Sequence, residues 1–310
     1  MGMVENLRKI ILDTDIGTDV DDALALTLAI KSREDIDLQA VTTVHGNVGL
    51  RSKIALKLLK IAGLENIPVA RGIERPLLID RPILGWGGHE GEGFLTYEDE
   101  NLSPSEHHAV DLIISKVMSM KGEITLVCVG PLTNLAAAII KEPRIIDNVK
   151  EVVIMGGVIR LFNGLNLPYR EHNILCDPEA AKIVFSSGMP ITMVPLDVTL
   201  KVYIEREDLA RIRAVDSPLT NAIASMIERY LDIVKRNYTW LHDPLALATL
   251  IDESLVKTMS MKILVETKGE YTTGLTLALP AKQDDEQVKV CVDVDVNRFK
   301  KLFMERICAK

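Results

Sequence analysis

Short, near-continuous Val/Ile/Leu runs alternate with longer helical patterns along the first two thirds of the chain, and this alternation most narrows what it can fold into. Runs of that kind suit strands covered on both faces, and the helices between them are the crossovers a parallel sheet requires. Strands are expected at 9–15, 38–44, 124–130, 151–156 and 191–197, with helices at 21–31, 50–62, 107–120, 132–141 and 178–187. Pro143 stands just past the fourth helix, where a helix should stop. Later, 218–235 reads as a long amphipathic helix and 244–251 as a shorter one. Strand-like runs follow at 261–266, 274–279 and 288–294, then a basic helix from Asn297. The expected class is therefore α/β, an open and mostly parallel sheet flanked by helices, with extra C-terminal helices and strands. No Ser/Gly-rich linker, repeat or low-complexity tract interrupts it, so 1–310 reads as one domain able to bury a large core.

Composition excludes several partners. A net charge of −8 argues against a nucleic-acid backbone, whose binders carry basic patches. No apolar run approaches the roughly 20 residues of a membrane span. The N-terminal residues lead straight into an apolar strand without signal-peptide anatomy, so a cytoplasmic location is expected. Cys128, Cys176, Cys291 and Cys308 form no CxxC pair and read as small buried hydrophobes rather than thiolate ligands.

In an open α/β sheet the reactive groups gather beyond the carboxyl ends of the strands. The first strand runs into Asp13, Asp15, Asp19, Asp21 and Asp22. The second ends in Val44-His45-Gly46-Asn47, and another in Val129-Gly130-Pro131-Leu132-Thr133-Asn134. His242-Asp243-Pro244 opens a later helix. Five carboxylates within ten residues repel unless a cation or hydrogen bonds compensate. Helix capping by Asp21 or Asp22 accounts for one or two of them. Asp-x-Asp at a strand end, without thiolate or His, suits a hard divalent ion held by oxygen. The same motif also resembles the nucleophile motif of haloacid-dehalogenase-type Mg phosphatases. Those enzymes place Gly directly after the second Asp, where this chain has Ile16, and Asp284-Asp285 is a poor match for their later acidic pair.

Taken together and in order, these segments resemble the inosine–uridine-preferring nucleoside hydrolase family over nearly the whole length. The matching pieces are Asp13-Thr14-Asp15-Ile16-Gly17 with Asp21-Asp22-Ala23, then Val44-His45-Gly46-Asn47, then Val129 through Asn134. Met155-Gly156-Gly157, Glu171-His172-Asn173 before Cys176-Asp177-Pro178, and His242-Asp243-Pro244 complete the set. The resemblance implies a Rossmann-like fold and cleavage of ribonucleosides to base and ribose. It implies one Ca²⁺ held by Asp15, Asp22, the Val129 carbonyl and Asp243, with ribose contacts from Asp21, Asn47, Asn166, Glu171 and Asn173. Two spacings differ from the family pattern, so Asp19 competes with Asp21 for the sugar, and Asn163 with Asn166. A small-molecule nucleoside is the expected substrate, and a homodimer or homotetramer the expected assembly.

Each implied part has a chemical reason. Glycosidic cleavage develops oxocarbenium character on the ribose, which nearby carboxylates stabilise. A calcium-bound water is more acidic than bulk water, and Asp15 is the expected base that activates it. His242 is the expected acid for the departing base, because an imidazole titrates in the useful range. Its plainer reading is a helix-start neighbour of Asp243. His89, in the family's mobile loop, is expected near the base. Tyr230, Tyr238 and Trp240 are candidate stacking rings, although the eight-residue spacing of the two tyrosines also fits packing along one helix face. Strict purine enzymes resemble one another in a Trp beside the last calcium-binding Asp. His242 holds that position here, which favours a non-specific or pyrimidine preference, while Trp86 and Trp240 keep a purine-specific enzyme in view. A ribose-binding module without catalysis is the third class, and intact Asp15, Asp22 and Asp243 speak against it.

Overall fold

The computed structural model describes residues 7–85, 87–159, 170–282 and 285–309. Its strands are β1 Arg8–Thr14, β2 Ile36–Thr43, β3 Val69–Arg71, β4 Ile124–Cys128, β5 Glu151–Met155 and β6 Ile191–Val194, then β7 Tyr203–Glu205, β8 Tyr238–Trp240, β9 Val256–Val265, β10 Thr276–Pro280 and β11 Val288–Val294. Nine of these form one sheet in the order β10-β9-β11-β6-β5-β4-β1-β2-β3. All neighbours from β3 through β6 pair in parallel, as does β11 with β6, whereas β9 runs antiparallel to both β10 and β11. Strand order reverses between β1 and β4, and a doubly wound sheet opens its ligand crevice at the carboxyl ends of such a pair.

Burial on both faces explains why the strands read as continuous apolar runs. Ile10 and Leu12 of β1 enter one core, with the helices Asp21–Lys31, Val48–Ile61, Pro218–Val234, His242–Ile251 and Val296–Ile307. Ile11, between them, enters the other core, with Ala109–Ser119, Thr133–Lys141 and Pro178–Phe185. Each such side chain contributes roughly 1.5–3 kcal/mol when removed from water. Asp21–Lys31 is buried from Asp21 through Ile30, which is why it lacks a polar stripe. No described helix is long and apolar enough to cross a membrane.

The expected boundaries need correction in four places. β6 stops at Val194 because Pro195 has no N–H for the ladder, and Leu196–Thr199 turns helical. β9 starts at Val256, hidden in the sequence by an exposed run at 256–260. The helix Pro218–Val234 ends at Lys235, in the left-handed region at φ 54°, so Tyr230 is helical and Tyr238 lies on β8. The helix His172–Cys176, not among the expected elements, carries Glu171 at its cap and Asn173 in its first turn. The short strands β3, β7 and β8 had no distinct sequence signal.

One buried amide ties three strand ends together. Asn134 donates through Nδ2 to Asp13 Oδ1 at 2.8 Å and to the Thr43 carbonyl at 3.1 Å, and its Oδ1 accepts from Ile73 N at 2.9 Å. A side chain at Gly72 would meet this amide at 2.3 Å, so glycine is required there. Replacing Asn134 with Ala leaves buried groups of β1 and of the segments after β2 and β3 unpaired. The expected cost is about 3 kcal/mol in a urea-unfolding titration, and a loss under about 1 kcal/mol would show that the strand ends are held by other contacts.

Candidate active site

At the β1/β4 crevice lies a cavity of about 300 Å³. Asp15, Asp21 and Asp22 enter it from the β1 end and the helix start beyond it, and Val129 from the β4 end. Glu171 and Asn173 come from the start of His172–Cys176, and His242 and Asp243 from the start of His242–Ile251. These eight expected site residues therefore share one wall. Asp19, Arg170, His172, Met155 and Leu196 also line it.

Carboxyl oxygens of Asp21, Asp22 and Asp243 lie within 4.8 Å of one another, and all three residues are buried. Burial, then the charges of neighbouring carboxylates (Asp19 for Asp21, Asp15 for Asp22, Asp21 for Asp243), pushes these carboxyls well above the usual range. Among the described residues none of the three forms an ion pair with Lys or Arg. Asp22 accepts from the Thr14 hydroxyl, and Asp21 Oδ2 from Asp243 N at 3.4 Å. Both contributing helices present their N-terminal ends here, where the backbone dipole favours negative charge. A donor set of clustered carboxylates with an adjacent carbonyl fits a hard divalent cation.

Asp19 lines the cavity but is held by Tyr230 and Val20. Its Oδ2 accepts from Tyr230 OH and its Oδ1 from Val20 N, both at 2.6 Å, which leaves Asp21 beside Asp22 and Asp243. Glu171 accepts from the N–H groups of Asn173 at 2.7 Å and of Gly157 and Ile174 at 3.0 Å. Asn173 Nδ2 donates to the Val129 carbonyl at 2.7 Å. That bond aligns the carbonyl and leaves its second lone pair.

Two expected substrate contacts do not reach the pocket. Asn47 is exposed and caps the helix Val48–Ile61 by accepting from Leu50 N at 3.0 Å. His89 is buried, and burial pushes its imidazole down to about 4. Nδ1 of this neutral ring accepts from Gly91 N and Nε2 donates to the Asp19 carbonyl, both at 3.1 Å, so both ring nitrogens are engaged. The segment holding His89 lies across the β1 loop, so close that a side chain at Gly88 would meet the Thr18 carbonyl at 1.7 Å. Asn163, Asn166 and Trp86 lie outside the described residues. Asp13, the nucleophile of a phosphatase reading, is turned into the sheet towards Thr42 and Asn134 and does not line the cavity.

Sequence reasoning missed Arg51. Its position in a helix suggests a surface charge, yet it is buried, donating from Nε to the His45 carbonyl at 2.6 Å, from Nη1 to Ile16 O at 3.1 Å and from Nη2 to Thr18 Oγ1 at 3.3 Å. It joins the loops after β1 and β2 and supplies the positive charge nearest Asp22. Arg51→Met removes every one of these donors. The expected loss is about 3 kcal/mol or more in urea unfolding, and an unchanged midpoint would show that the loops hold their shape without it.

Comparison with known proteins agrees with this geometry. The family described as inosine-uridine preferring nucleoside hydrolase matches residues 10–301. The inosine-uridine preferring nucleoside hydrolase of Crithidia fasciculata is 37% identical over 313 residues, covering 97% of each chain. The pyrimidine-specific ribonucleoside hydrolase RihA of Shewanella woodyi is 36% identical over 303 residues, covering 94% of each. A solved plant nucleoside hydrolase superposes with a TM-score of 0.86 at 34% identity, covering 98% of this chain and 99% of that one. With these likenesses spanning the sheet, the acidic pocket and the C-terminal strands alike, the chain belongs to the inosine-uridine preferring nucleoside hydrolase family.

Proposed function

We propose that this chain, as one hydrolase domain, cleaves the N-glycosidic bond of ribonucleosides to free base and ribose in the β1/β4 pocket. The observation that carries this reading is the meeting of Asp15, Asp21, Asp22, Val129, Glu171, Asn173, His242 and Asp243 in one cavity of about 300 Å³, large enough for a nucleoside.

Asp15, Asp22, Asp243 and the Val129 carbonyl would hold one Ca²⁺, an ion that takes about 6–8 oxygens and so leaves room for water and ribose hydroxyls. Bound there, such an ion would neutralise the clustered carboxylates and supply a more acidic water. Asp15 accepts the proton of the water that attacks the anomeric carbon. Asp21, Glu171 and Asn173 bind and orient the ribose, and the two carboxylates favour the positive charge that grows on the sugar ring. The C–N bond breaks with its electron pair leaving on the base.

His242 serves that departing base. Burial pushes its imidazole down to about 3, so the ring is neutral at physiological pH. The Thr199 hydroxyl lies 2.7 Å from Nδ1, and we read it as the donor of that bond, which places the ring proton on Nε2. We therefore read His242 as an N–H hydrogen-bond donor to the base rather than as a charged acid. His242→Ala should slow nucleoside cleavage by about 10²–10³-fold. It should slow far less the cleavage of an aryl riboside whose phenolate leaves unaided. Equal losses on both substrates would remove this role.

The position of His242 and the likeness to a pyrimidine-specific relative support a non-specific or pyrimidine preference. By the same family reading the enzyme is a cytoplasmic homodimer or homotetramer. Incubation with inosine, uridine and cytidine, with and without a chelator, tests the central claim. Ribose should appear from at least one nucleoside only with the ion present, and none at saturating Ca²⁺ would overturn it. Asp15→Asn should lower kcat by about 10²–10⁴-fold even at saturating Ca²⁺, and should raise KM as well because Asp15 is also a ligand of the ion that meets the ribose.

The raised carboxyls add a pH signature. A folded-state pKa above the unfolded value of about 3.9 stabilises the fold at acid pH and is lost as pH rises. Metal-free protein should therefore lose Tm relative to Ca²⁺-loaded protein as pH rises above the ordinary carboxylate range of about 4, because ion binding displaces those protons. Asp243→Asn should narrow the gap, and a gap that shrinks towards alkaline pH would contradict the ligand set.

A further inference from the structure

Beside the acidic pocket the fold assembles a second group of ligand-type side chains. His45 follows β2, His172 and Cys176 sit four apart on one short helix, and their donor atoms all lie within 4.8 Å of one another. Cys176 Sγ is 3.4 Å from His172 Nε2 and 3.7 Å from His45 Nε2. None of the hydrolytic roles uses these atoms. A tetrahedral zinc ion, with Zn–S of about 2.3 Å and Zn–N of about 2.0–2.1 Å, holds sulfur and nitrogen about 3.6 Å apart. The two observed separations straddle that value, and closing around an ion requires the Leu84 carbonyl, 2.5 Å from His45 Nε2, to move aside.

We propose that His45, His172 and Cys176 form a site for a zinc-class transition metal, adjoining the acidic pocket through His172 and selective against calcium. The selectivity follows from the donors. Thiolate and imidazole favour borderline and soft ions, whereas calcium takes oxygen. Three protein ligands leave the fourth tetrahedral position to a water.

Binding has a defined proton balance. In the metal-free protein His45 Nε2 donates to the Leu84 carbonyl at 2.5 Å. The ion takes the Nε2 lone pair, so the ring proton moves to Nδ1 and the Leu84 bond breaks. The Cys176 thiol proton leaves to solvent as sulfur gives an electron pair to the metal. Burial and the nearby Asp15 and Glu171 charges push that thiol up, so the ion itself has to displace the proton and affinity should rise with pH. His172 stands between Glu171 and Asn173, so occupancy would also fix the turn that presents both to the pocket.

The test uses the full chain, treated with chelator and then held in excess Ca²⁺ to fill the oxygen site. Zn²⁺ titrated by calorimetry should bind at one ion per chain. Co²⁺ in its place should give the intense visible bands of tetrahedral coordination and a sulfur-to-cobalt charge-transfer band in the near ultraviolet. Cys176→Ser should abolish that band and weaken Zn²⁺ by more than about 100-fold, beyond the roughly 10–100-fold cost of losing a mere supporting partner. Asp243→Asn should leave both signals in place. Absence of the charge-transfer band from the unsubstituted protein overturns the proposal without reference to any variant. So does Zn²⁺ binding that Asp243→Asn removes and Cys176→Ser does not.

Discussion

The carboxyl groups of Asp21, Asp22 and Asp243 are buried against one another at the end of a parallel sheet, and the rest of the site is arranged around that unfavourable placement. Removing a carboxylate from water costs several kcal/mol even after relaxation. Each helix N-terminus returns about 0.3–1 kcal/mol, and up to about 2 in a partly buried setting. The hydrogen bond from Thr14 and the charge of Arg51 help Asp22 alone. Helix dipoles and these contacts therefore fall short of stabilising three ionised groups. A divalent cation closes the difference, which is the physical reason to place one here.

Holding such a cluster in register calls for a stiff surround. Arg51 clamps the loops after β1 and β2 from behind, and Asn134 ties their strand ends together. His89 lies on the β1 loop and spends both ring nitrogens on backbone. Tyr230 draws Asp19 out of the cluster. Their common effect is that Asp15, on the loop after β1, and Asp21 and Asp22, at the start of the next helix, meet the cavity with different surroundings.

Much of the fold was legible because its signals are local. Strands buried on both faces must be apolar throughout, and crossover helices must be long enough to return, so β1, β2, β4, β5 and β6 could be placed from composition and length. β3, β7 and β8 were not legible, since three residues carry no periodicity. Within the site, the acidic run, Val129, Glu171, Asn173 and Asp243 were found through ordered motifs. Asn47 belongs to one of these motifs and His89 to the loop expected near the base, but they face a helix end and the β1 loop. Motif membership places a backbone, whereas the direction of a side chain depends on neighbours far away in sequence.

By itself, then, the sequence determined an α/β sheet with carboxylates at its carboxyl ends, because hydrophobic pattern and charge spacing are properties of short segments. Only the tertiary structure decided which carboxylates cluster, since Asp243 joins Asp21 and Asp22 from more than two hundred residues away. It also made Arg51 a buried clamp and His242 a neutral ring, outcomes set by the low dielectric of packed surroundings. Cys176 illustrates the same division. Read as a lone apolar thiol, it gains two imidazole neighbours only when the loop after β2 folds against the helix His172–Cys176.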